Sequence, residues 1–474
     1  MQQWHKGFFE KLEKTPVDIE DYKQFTSLFN LIFGELDKEL SSLVTSASKS
    51  DNTKYIKYEE ILNDWHSYKQ RINRRKKTHF GYQMNLTKRS FLVDFFRIME
   101  SFEVIQNNFG DIHDISDIEV SSDPQNPRST GNNYAMDTKS LEWDIVRLVA
   151  ENLRLPKQPR LVELRQNPEP YKDGYWGYVT SGGSESNLWG VIQGFVTYPH
   201  GILYYSEGAH YSVGKAASNR NYRVIKQRSA DDDAIGESAL LEAINSNWTK
   251  TKNPAIVVLT SGTTKYGSVD DVAFIKSELI RLNIPHYLHI DAAFYGGIPK
   301  NQENAPIIGD IESWGYDSIA VSMHKYIGYP AAKGVLISTK RPIGTFIDYI
   351  GQEDNTVLGS RDVPAFSLRQ QVMDILHHSH HGEYIKNIRA FSEMLESKGV
   401  KFAQWAKDDR FGNVFVFKVD KNAHDYKAIC RCWQLSEFSG IDNVHRVHTV
   451  IFPFHSQENL QKLSLDISGI TLNG

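Results

Sequence analysis

Four short stretches carry residue types able to do chemistry. In "DSIAVSMHKYIGYP" (317–330), Lys325 follows an apolar run. A lysine taken partly out of water loses solvation of its charged form, which frees a neutral amine to attack a carbonyl. Taken alone, it reads more readily as a surface lysine after a strand. In "HIDAAF" (289–294), Asp291 closes an apolar run and is followed by Ala292 and Ala293. A carboxylate there can cap the next element, or it can keep a pyridine nitrogen protonated so that the ring withdraws electrons. Ala293 leaves room for a flat ring. "TSGGSESN" (180–187) reads as a glycine turn opening a helix at Gly183, Ser184 and Glu185. The free N–H groups and positive dipole end of such a start suit a phosphate. "EGAHYSVGKA" (207–216) sets His210 at another helix start, where an imidazole can stack on a ring or serve as a simple cap. Ser322 and His324, beside Lys325, add two possible phosphate donors. Together, a phosphate cradle, a ring stacker, a carboxylate for a ring nitrogen and a carbonyl-reactive lysine describe a site for pyridoxal 5'-phosphate.

The elements that must position these groups follow from the pattern around them. From Thr138 onward, short apolar runs ("YWGYVT", "GILYYS", "AIVVLT", "HYLHID", "SIAVSMH", "GVLIST") alternate with helical stretches such as "ESNLWGVIQGFV" and "DDVAFIKSELIRL". This alternation predicts an α/β fold, a largely parallel sheet covered on both faces, with ligands gathered beyond the carboxyl ends of its strands. After Tyr349 the alternation stops, and "GNVFVFKV" and "HRVHTVIFPF" read as strands of a smaller α+β domain. Before it, Phe25, Leu28, Phe29, Ile32 and Phe33 recur at helical spacing, and "RINRRKK" (71–77) marks a boundary. The expected organisation is a helical N-terminal extension over 1–78, a large domain over 79–345 and a small domain over 346–474. Residues 112–133, rich in Ser, Asp, Asn, Pro and Gly, read as a surface loop.

With a net charge of −4, the chain gives no electrostatic reason to expect a nucleic-acid partner. Its two cysteines, Cys430 and Cys432, suit neither a disulfide framework nor a paired zinc knuckle. No segment reads as a secretory signal or a membrane span, so a cytoplasmic protein without a membrane partner is expected. His377, His380 and His381 of "HHSHH" share helical spacing and raise the question of a metal, but nothing nearby completes a site and none is expected.

The collinear stretches "GYQMNL", "QNNFGD", "YWGYVTSGGSESNLWG", "GILYYSEGAHYSVGKAA", "LTSGTTKYGSVDDV", "HIDAAFYGG", "SIAVSMHKYIG", "LGSRD" and "RCWQLSE" span most of residues 80–460. On these, the chain resembles the group II pyridoxal-phosphate-dependent amino-acid decarboxylases, in the branch of the histidine and plant serine decarboxylases. The resemblance implies a fold type I enzyme of the aspartate aminotransferase kind, acting as a homodimer. It implies Lys325 as the lysine bonded to the cofactor, Asp291 at the ring nitrogen and His210 stacked on the ring. Thr263 would lie near the phenolic oxygen, with Ser184, the Glu185 backbone, Ser322 and His324 around the phosphate. Ser360, in "LGSRD", would reach the phosphate of the other subunit, and Tyr349 is the candidate proton donor to Cα. Tyr82, Asn85, Asp137 and Tyr349 would face the substrate. Histidine is the leading substrate; serine, an aromatic or an acidic amino acid, or another bond cleavage such as transamination, are the alternatives. The chain departs from the family pattern at Met323, Asp362, Val363, Asp137 and Gln83, several of them on the substrate side.

Overall fold

The computed structural model describes residues 56–87, 89–103, 107–109, 138–159, 174–218, 222–227, 234–299, 315–340, 342, 345–348, 352–378, 381–407, 410–440 and 442–472. The chain divides into two compact units between Lys77 and Thr78. In the first unit the described element is helix α1 (Ile56–Lys76), which ends on Arg74, Arg75 and Lys76, cations placed at the negative end of the helix dipole. The apolar positions Phe25 to Phe33 and the loop 112–133 lie outside the described residues.

The second unit is built on a seven-stranded sheet. Its elements, in chain order, are α2 (Phe91–Glu103), β1 (Asn107–Phe109), α3 (Lys139–Asn152), β2 (Trp176–Thr180), α4 (Gly183–Thr197), β3 (Ile202–Ser206), α5 (Tyr211–Ser218) and β4 (Val224–Gln227). They continue with α6 (Glu237–Thr251), β5 (Ala255–Thr260), α7 (Val272–Arg281), β6 (His286–Asp291), β7 (Ser318–Ser322) and β8 (Gly334–Ser338). The strand order is β2-β8-β7-β6-β5-β3-β4. All neighbours run parallel except β8, which is antiparallel to both β7 and β2. Strands β2, β5, β7 and β8 are buried along their whole length, as expected where helices cover both faces of a sheet. This is the α/β, fold type I architecture that the alternation and the resemblance predict.

Because β8 is reversed, its first residue Gly334 lies level with Thr180 and Ser322, the last residues of β2 and β7. One edge of the sheet therefore gathers Thr180, Ser322, Asp291 and Thr260, with Asp291 opposite Thr260 in register. The four stretches with chemical potential all open onto this edge.

Beyond the sheet, β9 (Thr345–Ile347) and β10 (Gln352–Asp354) form a hairpin, and β11 (Ser360–Asp362) pairs with β1. Helices α8 (Ala365–His378) and α9 (His381–Glu396) follow, then the short pair β12 (Ala406–Lys407) and β13 (Arg410–Phe411). Strands β14 (Val414–Lys418), β15 (Ser436–Ser439) and β16 (His445–Val450) form a three-stranded antiparallel sheet in the order β14-β16-β15, with α10 (Tyr426–Cys432) and α11 (Gln457–Ser468). This layer carries its own aromatic-rich core, in which Phe80, Phe294, Tyr295 and Tyr326 pack with Tyr384, Phe391, Phe415 and Phe452.

The stretch Phe80–Asn85 runs from that core to the sheet edge. Phe80 exchanges backbone bonds with Trp433 and Val450, Gly81 O accepts from His448 Nε2 at 3.0 Å, and Asn85 N donates to Lys325 O at 2.9 Å. Gly81 is obligatory, because a Cβ there would sit 1.9 Å from Gln434 O. Among the described residues no helix is long and apolar enough to cross a membrane, and no group of three or more His, Cys, Asp or Glu is placed to hold a metal. The side chains of His377, His380 and His381 lie outside the described residues.

Candidate active site

Lys325 leaves β7 in a turn closed by Gly328 N donating to Lys325 O at 3.2 Å. Gly328 has φ of 72°, and a Cβ on it would meet Asn85 O at 2.7 Å, so glycine is required twice over. The Lys325 ammonium donates to Gln83 Oε1 at 3.2 Å. Burial pushes its pKa below the usual lysine value, and the charge of Asp291 pulls it part of the way back. These are the conditions under which a neutral amine becomes accessible.

Asp291 is buried. Its Oδ2 accepts from Asn187 Nδ2 at 2.8 Å and its Oδ1 from the backbone of Ala293 at 3.1 Å. His210 is half-buried at the start of α5, with its Nδ1 2.8 Å from Ser212 Oγ and accepting Ser212 N–H at 3.3 Å. Its pKa is lowered by burial, raised by Asp291 and lowered by Lys325, so the three predicted groups lie within electrostatic reach of one another. A backbone donor on Nδ1 leaves the ring proton on Nε2.

The start of α4 forms a cradle. Gly182, at φ of 128°, turns the chain, and Gly183 and Ser184 present the first N–H groups of the helix, which have no partner within it. A Cβ on Gly183 would lie 2.5 Å from Ser322 Oγ and 3.2 Å from Ala293 Cβ, and one on Gly182 would lie 3.8 Å from His324 Cε1. Ser322, His324 and Ala293 thus converge on this helix start. His324 Nδ1 is 3.3 Å from Lys333 O, which places its ring proton there, and burial lowers its pKa. The backbone N–H of Glu185 turns back to Gly182 O at 3.0 Å, while its carboxylate accepts from Ser181 N at 2.7 Å and Tyr178 OH at 3.1 Å. Glu185 thus holds the turn in place.

Thr263 is buried; its Oγ1 accepts from Ser268 N and its carbonyl from Gln83 Nε2 at 3.1 Å. Of the groups expected on the substrate side, Tyr82 is 57% exposed. Asn85 is buried, and its amide donates to Tyr326 O at 2.9 Å, so it braces the lysine turn. Asp137 and Tyr349 lie outside the described residues. Ser360 is exposed on β11, next to Arg361, which is buried against Glu142 at 3.2 Å and lies 5.3 Å from the Tyr178 ring.

Three residues at the site went unremarked in the sequence reading: Gln83 as partner of the lysine, Asn187, and His289. Of these, His289 had a visible signal. In "HYLHID" Tyr287, His289 and Asp291 alternate with the apolar Leu288 and Ile290, which sets all three on one face.

The sequence profile of the pyridoxal-dependent decarboxylase conserved domain matches residues 197–368. Over these residues the chain is similar to the pyridoxal-dependent decarboxylases. It is 32% identical over 300 residues to serine decarboxylase 2 of Oryza sativa subsp. japonica, covering 61% of the chain and 60% of the relative. It is 38% identical over 197 residues to the histidine decarboxylase of Klebsiella aerogenes, covering 40% and 50%. The matches thus span only half to about three fifths of the relatives' length. The fold is shared with L-methionine decarboxylase from Streptomyces sp. 590, at a TM-score of 0.66 and 17% identity over 87% of the chain and 95% of that structure. It is also shared with a sphingosine-1-phosphate lyase of Burkholderia pseudomallei, at 0.62 and 14%, over 86% and 89%. The cofactor of a pyridoxal-dependent decarboxylase is pyridoxal 5'-phosphate, and the glycine cradle, buried carboxylate and desolvated lysine fit it.

Proposed function

We propose that the protein removes the carboxylate of an L-amino acid as carbon dioxide and releases the amine, with histidine as the leading substrate. The observation that carries this reading is the convergence of Lys325, Asp291 and His210 at one sheet edge beside the cradle at Gly183. Similarity to both histidine and serine decarboxylases supports the reaction class, and it puts serine second on the substrate list.

When bound, the cofactor supplies an aldehyde for the substrate's amine and a ring that takes up the electron pair released with carbon dioxide. Lys325 supplies the amine that would hold the aldehyde between turnovers, and its desolvation lowers the cost of the neutral, nucleophilic form. Asp291, held in place by Asn187 and the Ala293 N–H, would keep a proton at the ring nitrogen. His210 would stack on the ring, and the small Ala293 would leave room for it. Gly183, Ser184, Ser322 and His324 bind the phosphate and so fix the ring's orientation, with Glu185 holding their turn. Thr263 is assigned to the phenolic oxygen, while Tyr82, Asp137 and Tyr349 are assigned to the substrate side, Tyr349 as donor of the proton to Cα. Orientation of the carboxylate perpendicular to the ring selects decarboxylation over other bond cleavages.

The exposed Ser360, on a strand anchored by the buried Arg361, supports a homodimer in which this serine reaches the other subunit's phosphate. We assign the protein to the cytoplasm. The helical extension over 1–78, the cofactor domain over 79–345 and the small domain over 346–474 complete the proposed organisation.

The test is incubation of the purified protein and cofactor with each common amino acid. Equal amounts of amine and carbon dioxide from histidine, or from one other amino acid, are expected. A keto acid without gas would replace this reading with transamination.

A further inference from the structure

Helix α4 lies over β6 in a residue-by-residue match. Asn187 meets Asp291; a Cβ on Gly190 would lie 2.2 Å from the His289 ring; and a Cβ on Gly194 would lie 3.2 Å from the Tyr287 ring. The two glycines let the helix settle onto a strand face that carries three polar side chains.

Those side chains form one continuous buried chain of hydrogen bonds. Tyr287 OH donates to Ser318 Oγ at 2.9 Å, and Ser318 Oγ lies 2.8 Å from His289 Nδ1. His289 Nε2 lies 3.0 Å from Asn187 Oδ1, and Asn187 Nδ2 reaches both Asp291 Oδ2 at 2.8 Å and Ser212 Oγ at 3.0 Å. Ser212 Oγ in turn lies 2.8 Å from His210 Nδ1.

Only one assignment of protons satisfies every link. Asp291 as a carboxylate only accepts, so the Asn187 amide must face it with its nitrogen, which turns the amide oxygen toward His289. That oxygen needs a donor, so His289 carries its proton on Nε2 and accepts at Nδ1 from Ser318. Burial holds His289 neutral, with its pKa lowered to about 4. At the other end, Ser212 receives a proton from Asn187 and donates to His210 Nδ1.

We infer that Asn187, oriented by His289, is a positioning residue that joins the two ring-facing groups: it gives one hydrogen to the Asp291 carboxylate and the other to Ser212 Oγ, which turns that hydroxyl to donate to His210 Nδ1 beside the Ser212 N–H. This rests on the assignment of Asp291 to the cofactor's ring nitrogen. Neither Asn187 nor His289 is required to touch the cofactor; both act through Asp291 and His210.

The test compares the affinity of the cofactor-stripped full chain for pyridoxal 5'-phosphate and for its 1-deaza analogue, in which carbon replaces the ring nitrogen. The two share every phosphate and stacking contact, so general damage to the site cancels in the ratio. The wild-type protein is expected to prefer the natural cofactor strongly, and Asp291→Ala to bring the ratio close to one. Should Asp291→Ala leave the preference intact, the assignment of Asp291 itself falls. Given the Asp291→Ala result, Asn187→Ala is expected to lower the ratio by about tenfold or more, the effect of a lost hydrogen bond to a charged group. An unchanged ratio in Asn187→Ala overturns the inference and leaves Asp291 in its role. His289→Gln, which keeps a donor toward Asn187, should retain the preference that His289→Leu loses. Equal loss in both would reduce His289 to packing and overturn its part.

Discussion

Gln83 Oε1 accepts a hydrogen bond from Lys325 Nζ at 3.2 Å across 242 residues of sequence, while the same side chain donates from Nε2 to Thr263 O at 3.1 Å. One amide therefore ties the reactive amine to the loop after β5. The second bond fixes which way the amide points, so that its oxygen faces the amine. Gln83→Leu removes that acceptor with little change in volume. We expect kcat/KM to fall by about tenfold, the scale of one hydrogen bond to a charged group. Steady-state carbon dioxide release, with whichever amino acid is decarboxylated, measures it.

Lys325→Ala should abolish covalent attachment of the cofactor. After borohydride reduction, intact-protein mass spectrometry is expected to show a pyridoxyl adduct on the wild-type chain and none on the variant. An adduct that survives the substitution would move the attachment to another amine.

Arg361 and Glu142 form a buried ion pair in which Glu142 also accepts from Asn108 Nδ2 at 2.6 Å and Val179 N at 2.9 Å. Arg361→Ala strands a buried carboxylate, and such a loss costs about 3–5 kcal/mol. Urea unfolding should show a correspondingly lower midpoint. Because Ser360 sits next to Arg361 on the same short strand, the cofactor should also bind more weakly in this variant.

Gly190→Ala presses a methyl group onto the ring of a fully buried histidine that is hydrogen-bonded at both nitrogens. Overpacking of this kind costs about 1–3 kcal/mol. Thermal unfolding should move down accordingly, whereas Gly382→Ala, where a Cβ meets nothing within 4 Å, should leave it in place.

Three buried histidines set a pH dependence. Burial lowers the pKa values of His289 and His448 to about 4 and that of His455 to about 3. Each value lies below the 6.5 of an exposed histidine, so between these limits the unfolded chain binds more protons than the folded one. Their contribution is complete above pH 6.5 and is lost progressively as pH falls through the folded values. Unfolding free energies measured by urea at pH 7.5 and 5.5 should show the lower value at 5.5. His448→Gln should flatten that slope.

The order of strands and helices around the sheet was legible because each buried strand is an unbroken apolar run and each helix carries its own periodicity. Lys325, Asp291 and Gly183 were legible because they stand at the ends of such runs. Gln83 was not, since its role depends on a backbone path from Phe80 to Asn85 that is set by contacts with residues more than 350 positions away, such as Gln434 and His448. Asn85 shows the same limit from the other side. Its position suits a substrate contact, yet a backbone carbonyl on the lysine turn occupies its amide. Asn187 was hidden by its surroundings, because a polar residue inside a helix is read as packing until its partner on the neighbouring strand is known.

The stretch from Phe80 to Asn85 is held at one end by the C-terminal three-stranded sheet and at the other by the turn that carries Lys325. It works as a tie rod between the C-terminal core and the edge of the large sheet. A tilt of one layer against the other would act, along six residues of backbone, on the position of a single nitrogen atom. Events at the far side of the C-terminal layer thereby acquire a mechanical route to the chemistry, without a signal having to cross the large sheet.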